Sequence, residues 1–132
     1  NISINKKEHK YKNYSSAIEF VITNEEGKKI YVVGTIGMNN EERIISIKNH
    51  DVDMAISDNM IYLGNEDVPG VIGAVGATLG KGNINIATMN VGRRENSAIM
   101  LLTVDSEVGR RSLKELRGLS QIKWAHYLDL TI

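Results

Sequence analysis

Six consecutive residues, Asn65-Glu66-Asp67-Val68-Pro69-Gly70, separate a short apolar run, Met60 to Gly64, from a segment with Val71, Ile72, Val75 and Leu79 at helical spacing. A strand that turns into a helix presents N–H groups with no intrahelical partner, so the amides of Gly70, Val71 and Ile72 can receive a carboxylate. Asp67, just ahead of that helix, suits either a helix cap or an ammonium group. Asn85, at the start of the following strand, carries both a donor and an acceptor. Together these groups match the two charged ends of a free α-amino acid. Capping and turn formation alone explain Asp67 and Pro69 equally well.

Other chemistry is hard to assemble from this chain. It has no G-x-G-x-x-G leading from strand to helix, no G-x-x-x-x-G-K-[ST], no His-x-x-x-His and no cysteine, so no catalytic or metal-ligating set is predicted. His9 lies in a polar stretch, His50 beside Asp51 in a turn, and His126 on a strand in step with Trp124 and Leu128. The spacing Gly73-x-x-Gly76-x-x-x-Gly80 puts small residues along a helix, which favours close helix packing over phosphate binding. Sixteen Lys and Arg balance sixteen Asp and Glu, leaving no net charge to attract nucleic acid or anionic lipid. The longest apolar run, Ala98 to Leu102, is far below the roughly 20 residues of a membrane-spanning helix. The chain reads as soluble and cytoplasmic. Its start at Asn1, without Met, an apolar signal region or a twin-Arg pattern, reads as a cut from something longer.

The elements that must position the site fall into two modules. Residues 1–17 are polar, with Lys6, Lys7, Lys10 and Lys12 close together, and read as an arm or linker with a solvated charge run. From Ile18 to Thr23 apolar residues alternate, Asn24-Glu25-Glu26-Gly27 supplies a turn, and strand-like runs follow at Lys28 to Gly37, Glu42 to Ile47 and Asp51 to Ile56. Residues 18–58 are thus a small β-rich module without a helix. Residues 59–132 alternate strand and helix. A helix opened by Pro69 ends at Gly80 and Gly82, strands follow over Ile84 to Val91 and Ala98 to Val104, Asp105-Ser106 caps a second helix, and Gln121 to Leu130 is the last strand. The order β-α-β-β-α-β is the ferredoxin-like arrangement, so the fold class is α+β. Ala98 to Leu102 are apolar on both faces, which predicts that one face or edge of the sheet meets a partner surface.

At these residues the chain resembles a known family. Asn65 to Val108 is similar to the ACT domain at the C-terminus of D-3-phosphoglycerate dehydrogenases, through D-x-P-G-V-I-G-x-V-G at the helix start, N-I-N-I-A-x-M-x-V-G-R at the second strand and A-I-M-x-L-x-V-D closing the hairpin. Lys28 to Met54 resembles, more loosely, the allosteric substrate-binding domain that precedes the ACT domain in longer forms of that enzyme. The resemblance implies a partial intervening domain at 18–58 and an ACT domain at 59–132. It places the NAD-binding and catalytic domains outside this chain, which itself carries no cofactor.

The resemblance also implies L-serine, or another small amino acid, bound between two subunits. The contacts carried over fall on Asn65, Asp67 and Asn85, with the turn residues Val68, Pro69, Gly70 and Val71. Asp67 would take the ammonium, Asn85 the carboxylate and main chain, and Asn65, where relatives often have His or Tyr, the hydroxyl or a partner backbone. Arg43 matches a possible anion site in the preceding module. The implied assembly is a homo-oligomer, a dimer through ACT domains within a tetrameric parent, in which serine inhibits by feedback. Two alternatives remain at this point: an oligomerisation module of the same enzyme that senses nothing, and the regulatory segment of an iron-sulfur L-serine dehydratase β chain.

Overall fold

The computed structural model describes residues 3–11, 14–23, 25–95 and 97–131. Lys12 of the basic run, Asn24 of the first turn and Asn96 of the later hairpin tip lie outside the described residues. The chain divides into two compact units between Ile56 and Ser57.

The first unit is a five-stranded antiparallel meander: β1 (Ser3–Tyr11), β2 (Tyr14–Thr23), β3 (Lys29–Ile36), β4 (Glu42–Ile47) and β5 (His50–Ala55), in spatial order β1-β2-β3-β4-β5. The lysine-rich start is therefore not an arm. Ser3 to His9 pair residue by residue with Thr23 to Ala17. This ladder is made by main-chain groups, which side-chain polarity does not reveal, and charged residues belong naturally on an edge strand. Ala17, Val33 and Ile45 form a buried cluster with Tyr14 against it. Ile47 pairs with His50 across the two-residue loop Lys48-Asn49, whose φ values of 49° and 64° have the double positive sign of a type I′ turn.

The second unit runs β6 (Asn59–Asn65), α1 (Val71–Lys81), β7 (Ile86–Arg94), β8 (Ser97–Val104), α2 (Arg110–Arg117) and β9 (Ile122–Asp129). Its antiparallel sheet has the order β7-β8-β6-β9, so this is the ferredoxin-like βαββαβ fold. Leu63 lies opposite Met100 and Ala125, and Ile61 opposite Leu102 and Tyr127. These rows meet Val71, Val75 and Leu79 of α1 and Leu116 of α2 in one core cluster. Period-2 patterning on the strands and 3.6-residue patterning on the helices both point into it.

Several local expectations change. The first helix begins at Val71 rather than at Pro69, because Gly70 has φ 91°, a left-handed conformation that ends the preceding turn and suits glycine. The second begins only at Arg110, with Gly109 extended ahead of it and no side-chain cap, so Asp105-Ser106 does not cap it. β8 lies between β7 and β6, and every residue from Ala98 to Val104 is buried within the chain, so a partner surface falls to the sheet edge at β7 or β9 and not to β8 itself. Gly73, Gly76 and Gly80 do not face a close neighbour either, since a Cβ at any of them would meet nothing within 4 Å.

On the sheet face away from the helices, Trp124 lies across Gly64. A Cβ there would stand 2.4 to 2.6 Å from three atoms of the indole. The ring meets Tyr62 edge-on at 4.7 Å and stacks with His126 at 5.6 Å. Gly64→Ala is expected to destabilise the second unit by about 1–3 kcal/mol through overpacking, measured by urea denaturation, with the Trp124 emission of the folded state altered as the ring is displaced.

Candidate functional site

Asn65 ends β6 inside the sheet and is only 3% exposed. Its Nδ2 donates to the Glu66 carbonyl at 2.7 Å, while its Oδ1 is buried with no hydrogen-bond partner. A buried amide oxygen without a donor is costly, and this one has no donor from the described residues of the chain. The turn is held by its own backbone: Glu66 N donates to Gln121 O at 2.9 Å and Val68 N to Glu66 O at 3.0 Å. Beyond it Gly70 O accepts from Ala74 N, the first bond of α1. No side chain caps this helix and its first turn holds no acidic residue. Its starting amides therefore keep the anion-accepting character that the sequence suggests. Val68 and Ile72 flank them as exposed apolar side chains, 45% and 54% accessible.

Asp67 does not cap α1. Its Oδ1 lies 3.2 Å from Nε of Arg93, near the far end of β7. The sheet register explains the meeting: Asn65 pairs with Ala98 on β8, and Ala98 pairs with Arg93 on β7, so the exit of β6 and the end of β7 share one row. Arg93 stands in the V-G-R stretch of the sequence, where no neighbouring residue marks it as part of a site. The signal lay in the strand pairing, which a linear reading does not contain.

The structure thus brings Asn65, Asp67, Val68, Pro69, Gly70 and Val71 into one neighbourhood, and leaves Asn85 out of it. Asn85 precedes β7, eight residues from Arg93, which at the rise of a strand is about 26 Å. Its Nδ2 donates to Asp105 Oδ2 at 2.6 Å, and its carbonyl accepts from Asp105 N at 3.1 Å. Asp105, expected as a helix cap, instead fixes this asparagine. One chain therefore holds two separated parts of the predicted contact set.

Arg43, the candidate anion contact of the first unit, is already taken up by carboxylates. Its Nε donates to Asp53 Oδ1 at 2.6 Å and its Nη1 lies 3.4 Å from Glu41 Oε1. The Asp53 hydrogen bond is the main reason its pKa is raised above the usual arginine value. Two negative groups around one guanidinium make a poor receptor for a third anion. Among the described residues no group of three or more His, Cys, Asp or Glu could hold a metal ion. No helix among them is long and apolar enough to cross a membrane.

This geometry stands on a ferredoxin-like unit whose sequence matches the ACT domain family over residues 59–121. Residues 59–121 are an ACT domain. The ACT domain begins with β6 and includes the turn, α1 and both strands of the β7–β8 hairpin. The whole chain is similar to parts of proteins named D-3-phosphoglycerate dehydrogenase. The one from Bacillus subtilis is 40% identical over 91 residues, 67% of this chain and 17% of that protein. The Archaeoglobus fulgidus protein is 39% identical over 121 residues, 89% of this chain and 23% of its own length. The Methanocaldococcus jannaschii protein is 31% identical over 132 residues, 98% of this chain and 25% of its own length. The chain thus spans a quarter or less of these curated relatives.

The Asp67–Arg93 pair is solvent-facing, and exposed ion pairs add little to stability. Asp67→Asn should shift the unfolding free energy by less than about 1 kcal/mol, checked by chemical denaturation, so that any loss of ligand response in this variant reports on binding and not on unfolding.

Proposed function

We propose that this chain is the regulatory C-terminal part of a D-3-phosphoglycerate dehydrogenase, an NAD-dependent oxidoreductase of serine synthesis, and that its ACT domain binds L-serine between two copies for feedback inhibition. The single observation that carries the reading is the β6–α1 turn of the ACT domain. There an uncapped helix start, the Asp67 carboxylate and the unpaired, buried Oδ1 of Asn65 stand together. These are complementary to the carboxylate, ammonium and donor hydrogens of a small amino acid.

The separation of Asn85 from that turn supports a site completed by a second copy. β7 is an edge strand, so two copies related by a two-fold axis can pair β7 with β7 in antiparallel fashion. Such pairing brings Asn85 of one copy toward the Asp67 end of the other. The open glycine surface of α1, with Ile72 exposed beside it, fits the same close approach. Serine bridging two copies then favours one arrangement of the assembly over another. Inhibition follows if substrate prefers the other arrangement, with coupling of about 1–3 kcal/mol typical of such linkage. The NAD site and the reacting groups belong to other parts of the parent enzyme. That the similar proteins named above are dehydrogenases favours this parent over an iron-sulfur dehydratase.

The glycine surface also favours a second reading, an ACT domain that assembles subunits and senses nothing. Isothermal titration of the chain with L-serine separates the two, with D-serine and glycine as controls and Asp67→Ala as the site variant. Saturable heat specific to L-serine, lost in Asp67→Ala while sedimentation shows an unchanged oligomer, is the expected outcome. An oligomer that gives no heat with serine would leave the assembly role.

A further inference from the structure

Nothing in the carried-over contact set supplies a full positive charge for the carboxylate of the ligand. The helix amides offer partial charge only, and Asn85 is neutral, remote within the chain, and committed to Asp105. Arg93 is the cation that the fold delivers to Asp67, and the way the two meet leaves most of their capacity unused. The contact given by the geometry is Nε to Oδ1, at 3.2 Å. Among the described residues neither Arg93 nor Asp67 pairs with a third side chain. Guanidinium carries five N–H donors in a rigid fork, and the fork edge formed by its two terminal nitrogens matches a carboxylate. With the Arg93 side chain 72% and the Asp67 side chain 35% accessible, both open edges are within reach of a solute.

We propose that Arg93 is the carboxylate-recognising residue of this site, so that Asp67 and Arg93 form a charge pair that selects ligands bearing both an ammonium and a free carboxylate. The inference rests on the amino-acid reading above and deepens it. In an α-amino acid those two groups hang on one carbon. A ligand that sets its ammonium on the open oxygen of Asp67 therefore carries its carboxylate to the neighbouring guanidinium, and the four charges alternate in sign. The existing Asp67–Arg93 contact need not break; it holds both side chains in position for the ligand. Amines and amides that lack the carboxylate meet Asp67 but leave the guanidinium fork unfilled.

The test compares L-serine with L-serinamide, which keeps the ammonium, hydroxyl and chirality but has no carboxylate, by titration calorimetry on the wild-type chain, Arg93→Gln and Arg93→Lys. The wild type is expected to prefer serine by about tenfold or more, in line with a charge-assisted bidentate contact. Arg93→Gln should abolish that preference by weakening serine while leaving serinamide unchanged. Arg93→Lys, which keeps the charge and loses the fork, should fall between. If the wild type binds serine and Arg93→Gln binds it as well or better, or loses serine and serinamide equally, Arg93 is not the carboxylate receptor although the amino-acid reading stands. If the wild type binds no serine, both fall together.

Discussion

The antiparallel register of β6 with β8, and of β8 with β7, is the constraint on which the rest of the ACT domain depends. It sets Leu63 opposite Met100 and Ile61 opposite Leu102, and so builds the apolar rows that α1 and α2 cover. The same register puts Asn65, Ala98 and Arg93 in one line across three strands. A slip of one residue would send both sets to the wrong face at once. Core and candidate site are therefore two readings of a single pairing, and neither can be repositioned without the other.

Much of this was legible in the chain. The second unit announces itself through two periodicities and through turn residues between them, and the strands of the first unit from Lys29 onward follow their Val, Ile and Tyr content. What escaped is what main-chain pairing decides. The Lys-rich stretch Ser3–Tyr11 has no apolar alternation, yet it joins the meander as an edge strand, because a ladder asks only for free N–H and C=O groups. The helix starts moved for a related reason. Gly70 and Gly109 end their loops by backbone conformation, with no side-chain cap to recognise in advance.

The site was legible by position more than by partner. Asn65, Asp67 and the Val68 to Val71 turn are adjacent in sequence, so their proximity follows from chain connectivity. Arg93 is 26 residues beyond Asp67 and arrives only through the sheet, whereas Asn85, closer in sequence, ends at the opposite end of β7. Arg43, singled out by the sequence, and Arg93, brought in by the structure, also differ in a way that composition hides. Arg43 is held by two carboxylates, while Arg93 meets one. Local charge balance, more than the presence of a cation, separates a structural pair from one with capacity to spare.

The outer strands β1 and β7 are protected very differently from unwanted growth. β1 carries Lys6, Lys7, Glu8 and Lys10 along its length, the kind of charge that discourages another strand from adding on. From Ile86 to Gly92, β7 has no charged residue, so its open hydrogen-bonding groups form a template for any extended chain that reaches them. Subunit pairing along β7 would remove that template. If the copies pair in this way, dilution that separates them would expose it, aggregation would be expected to start at an ACT-domain edge that has lost its neighbour, and solubility and correct assembly would be one property.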